Sequence, residues 1–152
     1  MPNTIQSYIS KATTKAANDL ITAVENLPED KRGWSPLGKG RSALDQAAEC
    51  AILNASTVQM LQSKSFPTEF NYEEFKARKA ELAKDWSAVK ELLLSNTALA
   101  ISAIEAVPDS DLDVEVPMPW GTYTIGSIMS YPYWNMSYHE GQTNYIGFLA
   151  AE

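Results

Sequence analysis

Apolar residues recur at three- and four-residue steps along four long stretches of this chain, and proline or glycine interrupts the pattern between them. Ile5, Tyr8, Ile9, Ala12, Ala16, Leu20, Val24 and Leu27 make the first stripe, the spacing that places side chains on one face of a helix. It predicts a helix from Thr4 to Leu27. Pro28 closes it, because the residue before a proline is steered out of the helical region. Glu29 to Gly40, with Pro36, Gly33, Gly38 and Gly40, reads as a connection, and Trp34 within it as an anchor packed onto the helices.

Ser42 is placed to cap a second helix by accepting from an unpaired backbone N–H, and Leu44, Ala47, Ala48, Ala51, Ala55 and Val58 give it a narrow small-residue stripe. Pro67 and the cap Asn71 lead into a long third helix with Phe75, Leu82, Trp86, Val89, Leu93, Ala100, Ile104 and Val107 on its apolar face, and Ser95-Asn96-Thr97 as the place to kink. Leu112, Val114 and Val116 alternate with acidic residues before Pro117 and Pro119, which predicts an extended segment or hairpin near Trp120-Gly121. Thr124 then caps a last helix over Ile125 to Ala150, which Pro132 should bend or loosen. The expectation is an all-α four-helix bundle in one domain, residues 1–152. A chain of 152 residues buries roughly 68–70% of its unfolded surface, so any metal would serve function and not folding.

Polar residues on buried stripes mark the candidate site. On the last helix Ile128, Asn135, His139, Gln142, Ile146 and Leu149 share one face, and His139 is the only histidine. Asn135 and His139 are one turn apart, which suits two metal ligands or a small hydrogen-bonding network aimed inward. Glu49 is a carboxylate among Ala47, Ala48, Cys50, Ala51 and Ile52; it either joins that network or faces solvent from a helix flank. Tyr131, Tyr133, Trp134 and Tyr138 surround the same turn, and either wall a pocket or belong to the core and a dimer interface. Cys50, the single cysteine, lies in an apolar run with no basic neighbour and reads as a packing residue.

Charge and composition exclude several classes. Lys and Arg number 12 against 19 Asp and Glu, for a net charge of −7, and no basic cluster is dense enough to follow a phosphate backbone, so nucleic acid is not an expected partner. Lys31-Arg32, Lys39-Gly40-Arg41 and Lys76-Ala77-Arg78-Lys79 read as loop charges and a solvated helix face. The longest apolar candidate for a membrane span, Ala98 to Val107, is interrupted by Ser102 and Glu105. The stretch Met1 to Gln6 lacks the basic and apolar regions of a signal peptide, so the expected location is the cytoplasm, with no membrane partner.

Trp34-Ser35-Pro36 before Gly38-Lys39-Gly40-Arg41-Ser42-Ala43-Leu44, then Trp120-Gly121-Thr122-Tyr123-Thr124 and His139-Glu140-Gly141-Gln142, resemble the DinB-like (YfiT-like) metalloenzyme superfamily over nearly the whole chain. The resemblance implies a four-helix bundle with an unusual crossover connection, often a homodimer. In many members a divalent nickel or zinc ion is held by three histidines, one on the second helix and two, four residues apart, on the last. Carried onto this sequence, those positions are Glu49, Asn135 and His139, so one imidazole of three survives. Some relatives are thiol-dependent transferases or isomerases that use bacillithiol, mycothiol or glutathione, activities that rest on the intact triad.

Two readings follow. In one, the degenerate site is metal-free: Glu49 pairs with His139 while Asn135 and Gln142 satisfy the remaining polar atoms, and the chain either holds a small molecule in a cleft lined by Trp34, Tyr131, Tyr138 and Gln142 or serves chiefly as a dimeric scaffold. In the other, Glu49 and His139 hold a weakly bound zinc or nickel ion, or His139 acts as a general base oriented by Glu49, in a small-molecule transferase, isomerase or hydrolase. A dry contact between Glu49 and His139 favours the first; convergence on an open cavity favours the second.

Overall fold

The computed structural model describes residues 3–151; Met1 and Pro2, which open the N-terminal stretch considered above, and Glu152 lie outside the described residues. Most of the chain is helical: α1 (Ile5–Glu25), α2 (Ala43–Ser63), α3 (Tyr72–Leu82), α4 (Trp86–Glu105) and α5 (Ile125–Ala150). An antiparallel hairpin, β1 (Glu115–Met118) and β2 (Gly121–Thr124), precedes α5 and pairs from Glu115 with Thr124 to Met118 with Gly121.

Cap residues set the helix starts. Thr4 accepts from the Ser7 N–H, Ser42 from Asp45, Asn71 from Glu73 and Glu74, and Thr124 from Ser127. Each supplies an acceptor to a first-turn donor that has no partner inside its own helix. Pro132 is buried within α5, which continues through it.

The expected long third helix is instead two. The chain breaks at Ala83–Asp85, where Asp85 caps α4 by accepting from the Ser87 N–H. The predicted weak spot at Ser95-Asn96-Thr97 lies inside α4, because its polar side chains find partners across the core. Asn96 Nδ2 donates to the Ala51 carbonyl at 2.8 Å, and Asn54 Nδ2 donates to Thr97 Oγ1 at 3.0 Å. Buried amides satisfied in this way tie α4 to α2 at a defined register.

Helix α2 packs against α4 and α5, while α1 packs against α5 and α4. Leu20, Val24, Ala47, Ala51, Val89, Leu93 and Met136 build one core cluster, and the alanines of α2 let its neighbours come close. Ile9, Leu61, Ile104, Val116, Ile125 and Met129 build a second, which the hairpin closes through Val116. Tyr133 packs against both clusters, and Trp34 packs on the first. Helix α3 buries no residue and lies against α2. Helix α4 is the one described helix long and apolar enough to span a membrane, with a mean hydropathy of 1.2. Its apolar face, Val89, Leu93, Ala100 and Ile104, is buried in the core.

Candidate functional site

Glu49 and His139 meet between α2 and α5. Both helices are fixed there by apolar neighbours, Ala47, Ala48 and Ala51 on α2 and Met136 and Ile146 on α5. His139 is only 4% exposed. Its Nε2 lies 3.2 Å from Glu49 Oε1, and its Nδ1 lies 2.8 Å from both Gln46 Oε1 and Gln142 Oε1. With both amides presenting oxygen, Nδ1 carries a hydrogen. Two lone pairs facing each other at Nε2 and Oε1 would repel, so a proton lies on that axis as well.

The other oxygen of Glu49 is also engaged. Arg41 Nη2 stands 2.7 Å from Glu49 Oε2, and Lys79 Nζ stands 3.9 Å from it. Arg41 Nε also pairs with Asp45 Oδ2, and Lys79 Nζ with Asp45 Oδ1 at 3.1 Å. The Glu49 side chain is 16% exposed. Burial pushes its carboxyl upward, but the His139 contact and the Arg41 charge outweigh that and hold it below its ordinary range.

The remaining candidates are distributed around this contact. Asn135 is buried, and its Nδ2 donates to Cys50 Sγ at 3.5 Å. Burial, reinforced by the Glu49 charge, pushes the Cys50 thiol well above its ordinary value, which makes it a poor nucleophile. Burial pushes the Tyr131 hydroxyl up to about 12, and the Glu49 charge adds to the shift, so this phenol stays protonated. Gln142 is exposed at the surface yet its oxygen reaches His139. Tyr138 is exposed, with its ring edge-on to His139 at 5.4 Å, and Trp134 stacks on Tyr138 at 5.5 Å. Trp34 is half-buried under the Lys31 ammonium, 5.5 Å from the ring centre. Clefts of about 440 and 360 Å³ lie elsewhere, one lined by Leu61, Leu99 and Ile125, the other by Phe66, Phe70 and Met118.

Gln46, Arg41 and Lys79 belong to the site, though the sequence reading placed none of them there. Gln46 stands three residues before Glu49 on α2, so helical spacing carried a signal for it, whereas Arg41 stands just before the α2 cap Ser42, outside the helix. Lys79 arrives from α3, and no local pattern reports that contact. The expectation that the basic groups holding Arg41 and Lys79 are only loop charges and a solvated face is corrected for these two residues: the Lys79 side chain is 16% exposed and meets two carboxylates.

The donor set fits a divalent metal poorly. Zinc and nickel sites are built from deprotonated ligands that converge on one point. Here both Glu49 oxygens face cationic or proton-bearing partners, His139 Nε2 faces Glu49, and Asn135 turns its amide to Cys50. Among the described residues no three His, Cys, Asp or Glu side chains gather as a metal site would require. Neither a family model, a curated protein nor a solved structure matches the chain.

Proposed function

We propose that this chain is a cytoplasmic, metal-free DinB-like four-helix bundle, with α1, α2, α4 and α5 as its helices, in which the Glu49–His139 pair is a closed polar core and not a metal centre. The single observation that carries the reading is the saturation of the Glu49–His139 pair: each carboxylate oxygen and each ring nitrogen already faces a protein partner at 3.2 Å or less. A metal entering at Nε2 would have to break Glu49 away from both His139 and Arg41. Asn135, with a neutral amide, would repay little of that cost. The Arg41 and Lys79 charges next to Glu49 stand where a metal's positive charge would otherwise balance the carboxylate. The protein needs no ion for electrostatic balance at this point.

The competing reading is a metal-dependent or general-base transferase, isomerase or hydrolase that uses Glu49 and His139. It is supported by the carboxylate–imidazole contact itself, the arrangement that orients a catalytic histidine. Elemental analysis of the untagged protein after nickel and zinc exposure and desalting separates the two, with Glu49→Ala and His139→Ala alongside. The proposal expects no retained metal in any of the three proteins. Near-stoichiometric metal in the wild type, lost in both variants, would establish Glu49 as a replacement ligand and overturn it.

A further inference from the structure

Helices α2 and α4 end side by side. The hydrogen bonds from Asn96 to Ala51 and from Asn54 to Thr97 advance along both helices together, and Leu61 and Ile104 share a core cluster, so the two run parallel to their last residues, Ser63 and Glu105. The cleft of about 440 Å³ lies at these ends, with Leu61 from α2, Leu99 from α4, Val107 just beyond it and Ile125 at the start of α5 as apolar walls. Small-molecule sites span roughly 300–1,000 Å³, so this cleft has room for a compact ligand. Leu99 is 56% exposed, an apolar wall left open to water. Twelve residues separate Glu49 from Leu61 on α2, about 18 Å of helix, so the cleft is distinct from the polar pair.

The charges around the cleft favour a cation. A helix carries partial negative charge at its C-terminal end, and neither α2 nor α4 has a basic residue in its last turn. The N-terminal end of α5 would oppose this, but its first N–H groups are already engaged: Ile125 donates to Val114, Gly126 to Leu112 and Ser127 to Thr124. Every lysine and arginine of the chain lies at or before Lys90, whereas Glu105, Asp109, Asp111 and Asp113 follow one another along the segment that leaves α4. Among the described residues Asp111 is the one charged side chain that lines the cleft. Its Oδ2 takes Lys64 Nζ at 2.6 Å, while Oδ1 accepts from the Ser110 hydroxyl at 3.4 Å, a long contact. The side chain is 20% exposed, so a shielded carboxylate oxygen keeps acceptor capacity for a further donor.

We infer that this cleft binds a small organic cation, an alkylamine or arylalkylamine whose ammonium group pairs with Asp111 beside Lys64 and whose apolar body covers Leu61, Leu99, Val107 and Ile125. An anionic ligand of the same shape would bring like charge to the acidic segment, and a neutral one would leave the Asp111 oxygen without its donor. The inference is independent of whether Glu49 and His139 take a metal.

An amide NMR titration of the full chain with phenethylamine tests it, with phenylacetate and benzyl alcohol as the anionic and neutral counterparts. Phenethylamine should bind saturably, at about millimolar affinity or tighter, and shift the amides of Leu99, Ser102, Ala103 and Asp111 while those around His139 stay in place. Phenylacetate should bind at least about tenfold more weakly. Asp111→Asn should weaken phenethylamine binding by about tenfold or more. Ser102→Phe, which places a ring at the cleft from an exposed position and leaves Asp111 and Lys64 untouched, should weaken it as well. Helical circular dichroism confirms that both variants fold. The inference is overturned by a titration that never saturates, by phenylacetate or benzyl alcohol binding as tightly as the amine, by shifts that gather at Glu49 and His139, or by binding that survives both substitutions.

Discussion

Replacing Glu49 by glutamine removes one charge and keeps the side chain's shape, so it isolates the electrostatic part of the polar core. In the wild type this carboxylate meets His139, Arg41 and Lys79. Breaking a fully buried ion pair by removing one partner costs about 3–5 kcal/mol, and an exposed pair contributes about 0–1. With Glu49 16% exposed and Arg41 40% exposed, Glu49→Gln should cost about 2 kcal/mol at neutral pH. For a chain of this size that lowers the melting temperature by about 4–8 °C. The sign of the pH dependence follows from the direction of the shift. The folded-state value of Glu49 is lowered from an ordinary 4.5, so the stabilisation is fully present above that value and is lost as pH falls through the lowered one. Thermal melts of wild type and Glu49→Gln across an acid series should therefore converge as the pH drops. Other acid-sensitive groups, such as Glu25 beside Lys90, are common to both proteins and cancel in the difference. A gap that stays constant with pH, or widens on acidification, would refute the reasoning.

Asn96→Ala should destabilise by about 1–3 kcal/mol, because it removes a buried donor and leaves the Ala51 carbonyl without it; urea unfolding followed by circular dichroism measures this. Asp85→Ala should cost about 1 kcal/mol through loss of the α4 cap, and hydrogen exchange should show the loss as faster exchange confined to the first turn of α4. Cys50→Ser should place a hydroxyl beside Asn135 without creating or removing a reactive thiol, so thiol-reagent labelling of the native wild type should be as slow as that of the serine variant.

The helix starts were legible because each carries its own chemistry: Ser42, Asn71 and Thr124 accept first-turn donors where the sequence placed them, and the alternation before Trp120-Gly121 became the hairpin. The break at Ala83–Asp85 was not, since Leu82, Trp86 and Val89 continue the apolar spacing straight across it. The separating signal was Asp85 with Ser87 two residues on, and it is weaker than the periodicity it interrupts. Helix α3 has no fully buried residue and reaches the core through Leu82 at its end, so its apolar positions made only a weak core face. At the site, Glu49 and His139 stood out as polar residues on apolar stripes, and they meet. Gln46 was hidden by ordinary polarity, and Lys79 by a sequence distance that only the packing of α3 on α2 closes.

Because the chain has one histidine, a nitrogen spectrum of protein labelled at histidine contains a single ring, which makes the central claim directly measurable. With Nε2 held against Glu49 and Nδ1 against Gln46 and Gln142, the ring resonances should shift in Glu49→Gln, and added zinc or nickel should leave both of them in place. A ring resonance that moves on stoichiometric zinc addition would show a nitrogen free for a metal, and would contradict the metal-free account.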